Sequence, residues 1–360
     1  MAKQERNYGI DFLRIICMLA MIIQHLLGHG WVMQQLNPQA WKYSLGSGLE
    51  AFSLFGISCF ALISGYVGIQ TRYRYTTLAL QWMKVFLYSV SITLVLSFVT
   101  GNGLSANAIT TALFPTFKNQ YWYFSSYAGC FLLAPLLNMA LRQMNKKQAT
   151  VLVAGLVAAF SIASTLSRTD ALYVSHGKNT LWLIILYVIG GYLYQFDVMK
   201  SMSTAKLALL TLCSAVLAVG NSGWIRKLCI LLTGKAAGYN LFRYNNSPTT
   251  LLLAVMMLLL FSRLKITRGK KLIAIFAPLN FSVYLIHDHP HFRQAFISKY
   301  SYILAEAPTF AFVPAVILAA VLVYLFCAAI DAIRERVFRR LGVKQKLLAL
   351  EEKRIGFIWD

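Results

Sequence analysis

Asp11, Arg14 and His25 lie inside an apolar run, NYGIDFLRIICMLAMIIQHLLGHGW, at residues 7–31. An ionisable side chain at bilayer depth costs roughly 2.5–3.5 kcal/mol on insertion scales, so residues of this kind usually have a purpose. A histidine titrates near neutrality and can take a proton from a hydroxyl, while an arginine can hold a phosphate through its fork of N–H donors. Eleven positions separate Arg14 from His25. At about 100° per residue that is three turns and about 20°, so both share one stripe, about 16 Å apart along the axis. Asp11 precedes Arg14 by one turn and can pair with it. Two readings fit this pattern. In the first, Asp11 and Arg14 form an interfacial salt bridge, Arg14 snorkels to the headgroups and His25 caps the far end. In the second, the stripe lines a cavity.

The element that carries these residues must cross a membrane. Only 13% of the 360 residues are charged and 58% are hydrophobic, with a mean hydropathy of +0.60, far from the roughly 25% charge of a soluble domain. The basic start (Lys3, Arg6) suggests a signal peptide, but no small-residue cleavage site follows and the run is long enough to span, so it reads as a retained helix. Apolar stretches of spanning length fall at 8–27, 48–69, 78–99, 121–141, 150–166, 180–196, 205–220, 248–264, 272–288 and 308–331. The expectation is an all-α integral membrane protein of about ten transmembrane helices, with one membrane domain over 1–333. Residues 334–360 ("RERVFRRLGVKQKLLALEEKRIGF" and its end) form a basic amphipathic tail lying at the membrane surface.

Basic residues orient the chain. Lys3 and Arg6, Arg72 and Arg74, Arg142 to Lys147, Lys200 and Lys206, Arg263 to Lys271 and the tail all fall on one side, which the positive-inside rule makes cytoplasmic. Both termini then face the cytoplasm. The stretch 221–247 fits least well, because Arg226, Lys227, Lys235 and Arg243 are many for an outer loop and "LCILLTG" is apolar enough to dip back into the bilayer. The net charge of +22 is spread over loops without a nucleic-acid module, so it reflects topology and attraction to anionic lipids, not nucleic-acid binding. The six cysteines mostly sit in apolar runs without metal-like spacing and read as small buried hydrophobes.

All six histidines, His25, His29, His176, His287, His289 and His291, fall on the outer side of this topology. His25 with His29, and the run "HDHPH", resemble metal motifs. Pro290 breaks the helical geometry and no carboxylate-rich shell accompanies them, so no metal is expected. Glu50, at the outer start of the second helix, suits either a contact to His25 or a sugar or a simple helix-start carboxylate. Trp122 and Tyr123 suit either stacking on a pyranose or the membrane interface.

The pattern "GIDFLRIICMLAMIIQH" closely resembles the first helix of the integral-membrane acyltransferase family 3, in which an arginine and a histidine are separated by ten residues. "FALISGY" (Phe60–Tyr66), "YWYFSSYAGCFLLAPLL" (Tyr121–Leu137) and "FSVYLIH" (Phe281–His287) are similar to later signatures of that family, in order and over most of the chain. The resemblance implies a cell-membrane, multi-pass enzyme that moves an acetyl or other acyl group from acyl-CoA to a hydroxyl of a cell-surface or lipid-linked glycan, with no bound cofactor. On that reading His25 is the base for the acceptor hydroxyl, and Arg14 meets a donor phosphate or polarises transfer. Family members carry paired arginines before the third helix. Here "TRYRYTTLALQWMKVF" offers Arg72, Arg74 and Lys84 on the donor side. Glu50, Trp122, Tyr123 and His287 are the substrate-side candidates. The rival class is a secondary transporter or exporter of a polar or glycan substrate, which would normally show discontinuous helices in paired halves. No internal repeat is visible in the sequence.

An even number of spans puts both ends of the chain on one side. A topology reporter fused after Asp360 is therefore expected to be active in the cytoplasm, and activity on the outer side alone would refute the ten-span count.

Overall fold

The structure, a computed structural model, describes residues 6–101, 103–167, 170, 172–233 and 242–354. Among these the chain is helical, without a strand. The principal helices are α1 (Tyr8–Leu27), α2 (Trp41–Gly68, with a break at Leu54), α3 (Tyr75–Thr100), α4 (Trp122–Gln143), α5 (Lys146–Ser167), α6 (Thr180–Gln195), α7 (Thr204–Thr233), α8 (Pro248–Arg263), α9 (Lys270–Phe276), α10 (Asn280–His287), α11 (Thr309–Arg340) and α12 (Val343–Arg354). Six of them, α1 to α5 and α11, are long and apolar enough to cross a membrane; α6, α8 and the Thr204–Gly220 part of α7 are apolar but shorter. The chain is a membrane protein.

The bundle is built around α1, which packs against α2, α8, α9, α10 and α11. The most apolar windows of α1 and α2 are each 61% buried, against 17% for α5 and 28% for α3 and α11, so the first two helices belong to the interior while α3, α5 and α11 present apolar side chains outward. On α11 the outward face carries Phe310, Leu318, Leu322 and Phe326. In lipid, apolar burial between helices gives little drive, and close backbone approach at small residues takes its place. The α2–α6 crossing shows this. A Cβ on Gly65 would stand 1.9 Å from the Tyr187 carbonyl oxygen, and one on Gly190 would stand 2.1 Å from that of Leu62.

Several elements depart from what the apolar pattern suggests. The expected span 272–288 is two helices, α9 and α10, separated by a 3-10 turn, Ala277–Leu279, centred on Pro278. The break frees backbone groups that must be met inside the bundle, and the Tyr324 hydroxyl donates to both the Phe276 carbonyl and Asn280 Oδ1. In α5 the segment Ala158–Ala163 is a π-helix, held where Ser161 donates to the Asn246 carbonyl and Asn246 Nδ2 donates to that of Phe160. Helix α7 does not stop near residue 220 but continues to Thr233; Lys235 and the end of "LCILLTG" lie outside the described residues. Helix α11 runs through the expected 333/334 boundary as far as Arg340. After a turn at Gly342 (φ 62°), α12 folds back on the start of α3. There Glu351 accepts from the Tyr75 and Thr76 amides, at 2.7 and 3.3 Å, and from the Thr76 hydroxyl.

A methyl group placed at the α2–α6 crossing has no room, since backbone atoms on both sides would have to move. Gly65→Ala is expected to lower the melting temperature in detergent and the yield of monodisperse protein, with a destabilisation of about 1–3 kcal/mol or more. Gly155→Ala, where nothing lies within 4 Å, should leave both unchanged, and equal behaviour of the two variants would refute this account of the crossing.

Candidate active site

Asn7 caps α1. Its side chain accepts from the Ile10 amide at 3.1 Å and donates to the Ser262 carbonyl at 2.8 Å, which fixes the helix start against α8. In the first turn Asp11 is 6% exposed and holds two guanidinium groups, Arg6 at 2.5 Å and Arg14 at 2.7 Å. These residues line a cavity of about 850 Å³ with Tyr66, Tyr194 and Pro278, so the break between α9 and α10 opens onto the Arg14 end of α1.

Three turns further on, His25 sits beside the end of α10. Its Nδ1 is buried and lies 3.5 Å from Asp288 Oδ1, with the His287 ring 5.0 Å and the His29 ring 5.1 Å away. Asp288 also lies 3.3 Å from the Arg293 guanidinium, whose N–H approaches His29 Nε2 at 3.0 Å. That donor fixes His29 Nε2 as an acceptor, and burial together with Arg293 holds the His29 imidazole below the usual histidine range. His287 Nδ1 lies 2.7 Å from the Val283 carbonyl, so the proton is assigned to Nδ1 and Nε2 is left without a partner. Asp288 faces His25 Nδ1 across 3.5 Å without a hydrogen bond, a carboxylate beside the ring. His25 lines a second cavity, of about 470 Å³, together with Glu50, Trp122, His176, Lys178 and Arg243. Glu50 is ion-paired with Arg243, and the His176 and Tyr244 rings stack at 4.0 Å. The two cavities thus lie at opposite ends of one helix, with Arg14 in one and His25 in the other.

Of the residues expected from the sequence, His25, Glu50 and Trp122 come together around the second cavity, while His287 is fully buried against the His25 ring and does not line it. Tyr123 does not line it: its ring is buried behind Trp122, between Tyr127 and Tyr284. Arg74 is 3.9 Å from Glu352 of α12, and Arg72, exposed, belongs to the same loop. Lys84 faces Asp331, Arg334 and Glu335 of α11, where Asp331 is buried under hydrogen bonds from Tyr88 and Arg334, both at 2.6 Å. Arg72, Arg74 and Lys84 line neither cavity.

Residues 7–331 match the family model described as an acyltransferase domain. The chain belongs to this acyltransferase family. The match spans α1 to most of α11 and includes every residue of both cavities except Arg6. No curated protein and no solved structure matches the chain.

Within the acyltransferase, Arg293 is the site residue that the motif reading passed over. Asp288 closes the "YLIH" signature together with His287, which marks it as a neighbour of His25, and the turn after α10 brings its side chain to 3.5 Å from that ring. Arg243 had no signal, since it lies in the weakly patterned stretch 221–247. His25, His29 and Asp288 do offer ligand atoms all within 4.8 Å of one another. A metal ion there would have to displace the Arg293 guanidinium, which already bridges Asp288 and His29.

If Asp288 orients His25 and stabilises its protonated form, Asp288→Asn should lower kcat for acyl transfer on the order of 10²-fold while the donor KM stays within about twofold, and Asp288→Glu should recover part of the loss. A variant with normal kcat would reduce Asp288 to a counter-ion for Arg293.

Proposed function

We propose that this acyltransferase moves an acyl group, acetyl in the simplest case, from cytoplasmic acyl-CoA to a hydroxyl of a cell-surface or lipid-linked glycan, working in the cell membrane with both termini inside. The observation that carries this reading is the pair of cavities at the two ends of α1, one lined by Arg14 and the other by His25 with Asp288 at its back. A reaction whose donor and acceptor are on opposite sides of a membrane needs such a helix. A catalyst with both substrates on one side does not.

The chemistry follows from the placement of His25, whose Nδ1 faces Asp288. His25 Nε2 takes the proton of the acceptor hydroxyl as its oxygen attacks the thioester carbonyl. The tetrahedral oxyanion needs nearby donors or positive charge, then collapses with cleavage of the C–S bond. The departing thiolate takes the proton back from His25, giving ester and free CoA. Asp288 stabilises the imidazolium between these two transfers. Arg14, held by Asp11, meets the donor as a guanidinium fork, and Arg72 and Arg74 with Lys84 supply further positive charge on the donor side. Glu50 and Trp122 hold the acceptor sugar, Trp122 by stacking, and His287 backs the His25 ring. The reaction requires no resident cofactor.

Purified protein should transfer radiolabel from acetyl-CoA to surface glycan, or slowly hydrolyse the thioester without it, and a transporter would do neither. His25→Ala is expected to reduce the rate by on the order of 10²–10⁴, whereas His29→Ala should be mild because its Nε2 already accepts from Arg293. Arg14→Ala should abolish transfer, with Arg14→Lys retaining activity only if a point charge suffices. Wild-type rates for both alanine variants, at normal membrane levels, would overturn the mechanism. Loss of activity to chelators, with His25 and His29 equally essential, would transfer the chemistry to a metal.

A further inference from the structure

The His25 cavity is walled on one side by two segments from different parts of the chain, the turn 173–178 before α6 and the stretch 243–245 before α8. The turn is held in a conformation that few side chains adopt. Tyr173, Ser175 and His176 have φ of 51°, 48° and 54°, and Gly177 follows at 82°. Left-handed backbone at non-glycine residues persists only where the surroundings impose it, and such places cluster at functional sites. Here it is imposed from three directions. The Asp170 carboxylate accepts from the Val174 and Ser175 amides, both at 2.8 Å. The His176 carbonyl accepts from the Asn245 amide at 3.2 Å, and the His176 ring stacks on Tyr244. Gly177 lies so close to the second segment that a Cβ there would stand 2.7 Å from the Asn246 nitrogen. The turn ends by setting Lys178 in the cavity wall, directly before Asn179, whose side chain caps α6 by accepting from the Trp182 amide at 3.0 Å.

The charges on this wall do not cancel. Among the described residues the ionised groups lining the cavity are Glu50, Arg243 and Lys178. Glu50 and Arg243 are paired with each other, and beside His25 Asp288 is paired with Arg293. Lys178 has no carboxylate partner among the described residues and lies within electrostatic range of both His25 and His29. The cavity therefore offers one uncompensated ammonium and no free carboxylate. A cationic amino sugar would be repelled there, and a neutral sugar would leave the ammonium unanswered. A carboxylate or phosphate would answer it with a charge-assisted contact, in a recess whose walls focus the field.

We infer that the acceptor carries an anionic group, a sugar carboxylate or a phosphate, near the hydroxyl that is acylated, and that Lys178 selects it. The inference rests on the acyl-transfer reading above and names the acceptor's class. Lys178 takes no part in proton transfer.

The test compares three small acceptors. Transfer of radiolabel from acetyl-CoA by the purified full-length protein is measured with methyl glucoside, with methyl glucuronoside, in which a carboxylate replaces the hydroxymethyl group, and with glucosyl phosphate. The readout is the ratio of kcat/KM for a charged acceptor to that for methyl glucoside, which does not depend on how much of a variant is folded. For at least one charged acceptor the wild-type ratio should be about 5–10. It should fall to about one in Lys178→Met, persist in Lys178→Arg and invert in Lys178→Glu. Whichever charged acceptor is preferred tells a sugar carboxylate from a carrier phosphate. A wild-type ratio near one, a preference that survives Lys178→Met, or a protein that hydrolyses acetyl-CoA yet acylates none of the three would each overturn the inference and leave the acyl-CoA reading standing. A protein that neither hydrolyses acetyl-CoA nor transfers from it would sink the acyl-CoA reading itself, and this inference with it.

Discussion

Charges inside an apolar helix have to be answered by other charges, and that requirement organises this protein. Asp11 binds Arg6 and Arg14 at one end of α1, and Asp288, with Arg293, answers His25 at the other. An unpaired ion at such depth would be strongly destabilising, and loss of one partner from a buried pair typically costs 3–5 kcal/mol. The pairing therefore does more than neutralise. It fixes the rotation of α1 about its own axis, because only one face can present Asp11, Arg14 and His25 together, and it fixes the height of α1 against α10, because His25 and Asp288 must meet. A slip of α1 by one residue would turn His25 by about 100° away from Asp288.

The break between α9 and α10 serves the same end. A continuous helix through Pro278 would close the wall of the larger cavity and carry Asp288 elsewhere. The turn Ala277–Leu279 admits a cavity beside Arg14, and Tyr324 repairs the backbone exposed by it. The Asn246 side chain plays a similar part at the π-helical segment of α5, bonding the Phe160 carbonyl and Ser164, while the next residue back, Asn245, lines the His25 cavity. Irregular backbone is found where it shapes a cavity, as expected for a protein in lipid.

Much of this was legible in the sequence. Apolar runs marked the helices because a spanning segment must be apolar over its whole length, and the eleven-residue interval between Arg14 and His25 placed both on one face. What could not be read were the events that depend on contacts between distant segments. The break at Pro278 looks like an ordinary apolar stretch, and α2 begins at Trp41, seven residues before its apolar run. Arg293 reaches the site from the start of a π-helical segment, Arg293–Ile297, and Arg243 from the loop before α8, paths that no periodicity encodes. Lys84 was grouped with Arg72 and Arg74 because it is basic and on the same side, but its helical position turns it toward Asp331 and Arg334 of α11. A one-dimensional pattern records which side of the membrane a charge occupies, and not which neighbour it faces.

The contact between Glu351 and the first turn of α3 has a consequence for how the protein is made. Thr76 and Glu351 are 275 positions apart. The loop holding Tyr73 and Arg74 can be inserted early, but its anchoring carboxylate is delivered only after every helix from α3 to α11 has been made. Throughout synthesis the N-terminus of α3 must leave its amides to water or lipid headgroups. The start of α3 thus acquires its final shape later than the helices around α1, and a chain released before α12 is complete would keep His25 and Asp288 but lack that closure.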